Sequence, residues 1–215
     1  NKYQTGNAMI YVLIALALFG ALTLTLSSQN EQADGQDLSD EQAEFYASEL
    51  IEYVASTKNI IDQMIATGTD IDELDFINPA SAGFDTPPHI HKLYHPQGGG
   101  LNYKFEFSQA LQVNGNSGWY LGDHIDTEWT PSTLNDVVIS AVDIPISICE
   151  NINKKITGTS DIPELTTGSL YAYAISAAPV YFETSDCAEC VGMPSLCVQD
   201  NGVETYGFYN IIAAR

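Results

Sequence analysis

The 215-residue sequence is 45% hydrophobic, and it carries 28 acidic and 7 basic residues, a net charge of −21 at pH 7. This apolar content allows a packed core and excludes general disorder. Such an excess of acids repels phosphate backbones and argues against nucleic-acid binding.

The charge is unevenly distributed along the chain. Residues 1–30 contain no acid and one base, Lys2. The part from Glu31 onward therefore holds 28 acids and 6 bases, a net −22. Solubility in salty or crowded surroundings is the simplest interpretation of this acidity, and divalent-cation binding is the alternative.

An uncharged apolar run, Ala8–Leu26, lies near the start of the chain. As a helix it would span about 28 Å, the thickness of a bilayer's hydrocarbon core. A cleaved signal peptide fits less well, because no small-x-small cleavage site follows Leu26. A helix apolar on all sides is also rare in the core of a small domain. We predict a membrane span, with the N-terminus inside because Lys2 precedes it and the acids follow it.

Three small residues within this run form a candidate assembly face. Ala17 and Ala21 are four residues apart, with Gly20 beside them. Small side chains at this spacing let a neighbouring helix approach closely. Many membrane spans contain such a pair by chance, so the pattern indicates self-association without proving it.

A second helix is predicted after a polar joint, residues 27–39. Ser39 and Gln42 have the spacing of a capping box. Gly68 is expected to end the helix, which would be about 28 residues long. Apolar residues recur between them at three- and four-residue steps, which indicates one buried face. This stripe comprises Ala43, Tyr46, Ala47, Leu50, Ile51, Val54, Ile61 and Ile65.

Short β-like runs separated by turn residues follow Gly68, with one helix inserted at 145–156. We therefore predict an α+β fold in which a long N-terminal helix packs on an antiparallel sheet with a disulfide loop. The predicted segments are a 1–30 anchor, a 31–68 linker and amphipathic helix, and a 69–215 acidic β-rich domain. The predicted strands are Leu74–Ile77, Ile90–Tyr94, Leu101–Phe107, Trp119–Ile125, Val137–Val142, Leu170–Ile175 and Tyr206–Ala213.

Four cysteines, Cys149, Cys187, Cys190 and Cys197, permit two disulfides in three possible pairings. Zinc is the alternative, because a Cys-x-x-Cys pair and two further thiolates can form a tetrahedral site. However, structural zinc sites usually use two close pairs, and Cys149 stands alone. A membrane anchor upstream also suggests an oxidising compartment. We predict disulfides and leave their pairing open.

Three of the four histidines, His89, His91 and His95, lie within seven residues. On an extended strand they would share one face, where neutral imidazoles could bind zinc, copper or nickel. Asp85 could supply an oxygen ligand. The alternative is a set of exposed or hydrogen-bonded surface histidines beside two prolines. For the protein as a whole, we predict no bound cofactor.

Catalytic motifs are absent from the sequence. No Gly-x-Ser-x-Gly elbow occurs, and the Gly98–Gly100 run is not a phosphate-binding loop. It is expected to permit a positive-φ turn. The acidic stretch 70–75 lacks the glycine and distal glutamate of a calcium loop, so we interpret it as a solvated connection. Because no nucleophile, base and orienting group occur together, we predict a non-enzymatic protein.

The order of these parts resembles that of type IV pilins and the pseudopilins of secretion systems. The shared plan is a positive leader, an apolar helix, an amphipathic continuation, a β-rich domain and a late disulfide loop. The sequence departs from pilins at Asn1, where they carry a methylated phenylalanine, and at Thr5, near their first-turn glutamate. His95–Gly100 is also similar to a motif of bacterial membrane-anchored, pilin-like proteins.

The resemblance implies an inner-membrane protein whose apolar helix later packs in the core of an extracellular filament of identical subunits. The alternative function is a single-pass, membrane-tethered extracytoplasmic domain that binds a metal or calcium. The long amphipathic helix favours the filament, because a simple tether would more often carry a polar linker without periodicity.

Overall fold

The computed structural model describes residues 38–104 and 106–215. This part of the chain forms three α-helices and five β-strands. The helices are α1 (Asp40–Ala66), α2 (Ile146–Thr157) and α3 (Leu170–Ala174). The strands are β1 (Gly118–Thr127), β2 (Asp136–Ile144), β3 (Val180–Phe182), β4 (Ser195–Gln199) and β5 (Tyr206–Ala213).

The predicted α+β class is confirmed for the described residues, which contain both helices and a mainly antiparallel sheet. The predicted span Ala8–Leu26 lies outside the described residues. Within them, no helix has both the length and the apolar character needed to cross a membrane.

The five strands form one sheet in the order β3-β1-β2-β5-β4. Three neighbouring pairs are antiparallel, as predicted, whereas β1 and β3 run parallel. The central strand β2 is buried along its whole length. Val137 and Ile139 enter the core on one face of the sheet, and Val138 and Val142 enter the core on the other. This two-sided burial explains the nearly continuous apolar run of β2.

Helices α1 and α2 cover one face of the sheet. The predicted capping box is confirmed, because the N–H of Gln42 donates to Ser39 Oγ and the N–H of Ser39 donates to Gln42 Oε1. The helix ends before Gly68, which has a φ of +107°. Ile65 is exposed, against expectation. The buried residues are Ala43, Ala47, Leu50, Tyr53, Val54, Thr57, Ile61 and Met64.

The opposite face is covered by α3, β3 and the turn that contains Cys187 and Cys190. These two cysteines form one disulfide, and Cys149 pairs with Cys197, which joins α2 to β4. The described residues contain no free cysteine. The disulfide prediction is confirmed, but the bridges are one long-range link and one tight turn rather than a single late loop.

Three predicted strands before β1 do not form. Leu74–Ile77 and Ile90–Tyr94 share only one isolated bridge, between Asp75 and Lys92. No strand occurs in the described residues of Leu101–Phe107, although Leu101 and Phe107 are buried. Apolar residues in these runs enter the core from turns. Their burial, and not strand pairing, therefore explains the apolar runs that resembled strands.

The predicted strand Leu170–Ile175 is helix α3. Ser169 caps this helix by accepting the N–H of Ala172, and the carboxylate of Asp200 accepts the N–H of Leu170 at 2.7 Å. These two caps fix the first helical turn despite the β-favouring tyrosines in Leu-Tyr-Ala-Tyr-Ala. Strands β3 and β4 were not predicted.

Candidate functional site: the histidine loop

The predicted metal-site residues lie in a compact loop, residues 83–100, which we call the histidine loop. Its backbone reverses repeatedly, with Lys92 donating its N–H to His89 at 3.0 Å and Gly98 donating to His95 at 2.9 Å. Leu93 is fully buried and anchors the loop in the core. The three histidines therefore lie in turns, bends and irregular backbone, and the prediction that they share one face of a strand is wrong.

A buried lysine organises one side of the loop. The ammonium of Lys92 donates to the backbone carbonyls of Gly83 and Phe84, each at 2.7 Å, and to that of Thr86 at 2.5 Å. Hydrogen bonds from a charged donor are stronger than neutral ones. Lys92 therefore acts as an internal cation that fixes 83–86 against the rest of the loop. This role of Lys92 was not predicted, although a lysine between histidines in a base-poor chain was a usable signal.

Two of the three consecutive glycines permit close backbone packing. A Cβ on Gly98 would lie 2.2 Å from the carbonyl oxygen of Lys92 and 2.5 Å from that of His89. A Cβ on Gly99 would lie 2.5 Å from the carbonyl oxygen of Leu93. Only Gly100 has the expected positive φ, +65°. Glycine is thus required at positions 98 and 99 because a side chain would not fit there. At position 100 it is favoured because the backbone has a positive φ.

Gly98→Ala should destabilise the protein by about 2–3 kcal/mol, because the methyl group must displace backbone atoms that cannot move independently. Gly115→Ala is the matched control, since nothing lies within 4 Å of its Cβ position. The measurement is the free energy of unfolding in denaturant. Equal free energies of unfolding for the two variants would show that the loop accommodates the added methyl group at position 98 without strain.

The rings of His89 and His95 stack with centroids 4.0 Å apart and planes within 5°. His95 Nδ1 accepts the N–H of Gln97 at 3.1 Å, so the neutral ring carries its proton on Nε2. That nitrogen lies 3.9 Å from a carboxylate oxygen of Asp85. Desolvation is the largest cause that lowers the pKa of His89. The nearby charges of His95 and Lys92 lower it further. The lowered pKa favours the neutral form of the His89 ring.

The stacked geometry does not create a shared metal site. An imidazole binds a metal through a lone pair in its own plane, and parallel stacked planes have no common point. Asp85 is 92% exposed and points into solvent, while His91 Nδ1 lies 3.6 Å from Glu73. Among residues 38–104 and 106–215, no three His, Cys, Asp or Glu side chains could hold a metal ion together. Metal binding by His89, His91 and His95 stays a prediction that needs another loop arrangement.

Within the described structure, the outer side of the histidine loop carries unpartnered histidine nitrogens and an exposed apolar residue. Nδ1 of His89 and of His91 is buried without a hydrogen-bond partner in the described structure. Among the described residues, no hydroxyl or thiol is hydrogen-bonded to His89, His91 or His95. Ile90, which lies between His89 and His91 in the sequence, is 60% exposed. A rigid loop thus displays one large apolar side chain to solvent.

The second candidate surface is the outer face of α1, which points away from the sheet. Phe45 is 64% exposed there, although the opposite side of the same helix is in the core. The predicted assembly residues Ala17, Gly20 and Ala21 belong to the segment that precedes this helix and lie outside the described residues. Other exposed residues of this face include Glu41, Ser48, Glu52, Ser56, Asn59 and Gln63.

Comparisons with protein-family descriptions, with characterised proteins and with solved structures found no match.

Proposed function

We propose that this chain is a structural subunit of an extracellular, type IV pilus-like filament and that it assembles through its N-terminal apolar helix. The observation that carries the proposal is the position of α1. This helix follows the apolar run after one polar joint, buries one face against the sheet and leaves Phe45 exposed on the other. Because one face of α1 packs in the core, this helix can connect the folded domain to a filament core without a further linker.

The two disulfides support a location outside the cytoplasm. Cys149–Cys197 and Cys187–Cys190 account for all four cysteines. Structural disulfides persist in secreted and periplasmic proteins and are rare where thiols are kept reduced. In this proposal the inner membrane holds the subunit before assembly, and the partner in the filament is another copy of the chain.

The proposal is tested by enlarging the candidate assembly face. Ala17→Leu with Ala21→Leu should leave membrane insertion intact and abolish filaments, because bulky side chains prevent close helix approach. Ala8→Leu with Ala15→Leu is the matched control, since at 3.6 residues per turn these positions would lie on the opposite side. Filament yield is measured against membrane-bound monomer. Normal assembly of the first variant, or absence of the native protein from any polymer, would contradict the proposal.

The histidine loop favours a second candidate function, a membrane-tethered binding domain. Its support is the exposed Ile90 held between two histidines by the Lys92 and glycine contacts. If the histidine loop binds no metal, zinc, copper or calcium should leave the unfolding midpoint of the full chain unchanged. A rise in the midpoint with one of these ions, lost in both His89→Ala and His91→Ala, would favour the binding domain, since ligands stabilise only the state that binds them.

A further inference from the structure

Two asparagine–glycine peptides lie on the surface of the described structure. One joins Asn114 to Gly115 in the turn before β1, and the other joins Asn201 to Gly202 in the turn between β4 and β5. An asparagine side chain reacts most readily with the next backbone nitrogen when glycine follows, because glycine has no Cβ to hinder the approach. All four residues are exposed. Exposure therefore does not distinguish the two peptides, but their hydrogen bonds do.

At the first peptide, both reacting groups are available. The N–H of Gly115 has no hydrogen-bond partner among residues 38–104 and 106–215, and nothing lies within 4 Å of the position of an added Cβ. The side-chain oxygen of Asn114 accepts the N–H of Asn116 at 2.7 Å, a bond that asparagine commonly makes in turns. This donor polarises the side-chain carbonyl and faces the negative charge that develops on its oxygen during attack.

At the second peptide, both reacting groups are held by hydrogen bonds. The side-chain nitrogen of Asn201 donates to the carbonyl of Leu165 at 3.1 Å and to that of Thr166 at 2.6 Å. The N–H of Gly202 donates to a carboxylate oxygen of Glu164 at 3.0 Å. A reaction here requires these three hydrogen bonds to open first. The second peptide is therefore an internal reference for the first.

We propose that Asn114 is a covalent modification site, at which the folded protein converts asparagine to aspartate and isoaspartate without an enzyme and with water as the co-reactant. The nitrogen of Gly115 forms a bond to Cγ of Asn114, the bond from Cγ to Nδ2 breaks, and ammonia leaves with the proton of the Gly115 amide. Water then opens the cyclic imide. Attack of water at Cγ gives aspartate, and attack at the backbone carbonyl gives isoaspartate. Neither step changes an oxidation state.

The isoaspartate product alters the turn that leads into β1. Its backbone runs through the former side chain, which adds one methylene group before Gly115. In the unmodified turn, the N–H of Ser117 donates to the carbonyl of Asn114 at 3.2 Å, and Ser117 Oγ donates to the carbonyl of Asp143 on β2 at 2.8 Å. A longer backbone displaces these partners, so the modification loosens the attachment of the turn to β2. This inference rests on the fold and is independent of the proposed filament function.

The test follows both asparagines in the same full-length chain during incubation in mildly alkaline buffer. Peptide mass spectrometry measures the fraction converted at Asn114 and at Asn201. In the folded protein, Asn114 should convert at least about ten times faster than Asn201, a ratio that corresponds to about 1.4 kcal/mol. In denaturant the two rates should approach each other, because both asparagines precede glycine and the hydrogen bonds that hold Asn201 are lost.

Gly115→Ala is the matched variant. Its methyl group has no atom within 4 Å in the fold but hinders the attacking nitrogen, so conversion at Asn114 should fall severalfold and conversion at Asn201 should not change. In the isoaspartate form, the amide of Ser117 should exchange its hydrogen faster than in fresh protein. Equal rates at Asn114 and Asn201 in the folded protein would overturn the proposal. So would conversion of Asn114 in denaturant alone, by showing that the turn protects this residue.

Discussion

Replacing Cys149 and Cys197 together by alanine should destabilise the protein about twice as much as replacing Cys187 and Cys190. The first bridge joins residues 48 apart and the second joins residues 3 apart. In the chain-entropy model, constraint of the unfolded state grows with the logarithm of loop length, giving about 4 kcal/mol for the first bridge and about 2 kcal/mol for the second. Both pairs are buried, so cavity terms are similar.

The neighbours of the long bridge make this comparison informative. Asn153 on α2 accepts the N–H of Cys197 at 2.8 Å and donates to its carbonyl at 2.9 Å. The junction of α2 with β4 is therefore held by an amide as well as by the disulfide. Denaturant unfolding of the unreduced double variants measures the two losses. Equal losses would show that loop length does not set the stabilisation by these bridges. Free thiols in the denatured, unreduced native protein would contradict the pairings.

Helix boundaries were predictable because their signals are local. Ser39, Gln42 and Gly68 mark the ends of α1, and Gly158 follows α2 in a left-handed conformation with a φ of 88°. Each signal acts through hydrogen bonds or backbone angles within one turn of the helix. The sequence alone therefore located both long helices to within about two residues.

Strands were less predictable because their pairing is non-local. β4 contains Cys197 and lies in a cysteine-rich stretch that resembles a loop, yet it pairs with β5 along its whole length. The strand-like stretch Leu170–Ile175 is a helix whose first turn is capped by the neighbouring Ser169 and by the distant Asp200. In both cases a contact from another part of the chain decided the structure, and local propensity was overridden.

The histidine loop shows the same limit at the candidate site. The sequence identified the cluster of histidines and the glycine run, but not the arrangement that connects them. That arrangement depends on Lys92 reaching three carbonyls and on the lack of space at Gly98 and Gly99. The sequence shows the lysine and the glycines but not these contacts, because each contact is made with backbone atoms that are brought together only by folding.

The contacts of Lys92 lead to the second large expected effect. Lys92→Met should destabilise the protein by about 3 kcal/mol, because three backbone carbonyls lose a charged donor at once and net hydrogen bonds to charged groups contribute about 1.5–3 kcal/mol each. Part of this loss is offset, since methionine has no ammonium to desolvate. The apolar stem is retained, so packing along the side chain is little changed. The loss should therefore report the carbonyl contacts rather than a cavity.

Lys154→Met is the matched control, because Lys154 is exposed at the end of α2 and the substitution is the same. Denaturant unfolding should show a large loss for Lys92→Met and a loss below about 0.5 kcal/mol for the control, as is usual for surface substitutions. Hydrogen exchange should also rise at the amides of Gly98 and Gly99, whose bonds to His95 and Lys92 close the loop. If the two variants are equally stable, the carbonyls of 83–86 are satisfied by solvent, and Lys92 does not organise the histidine loop.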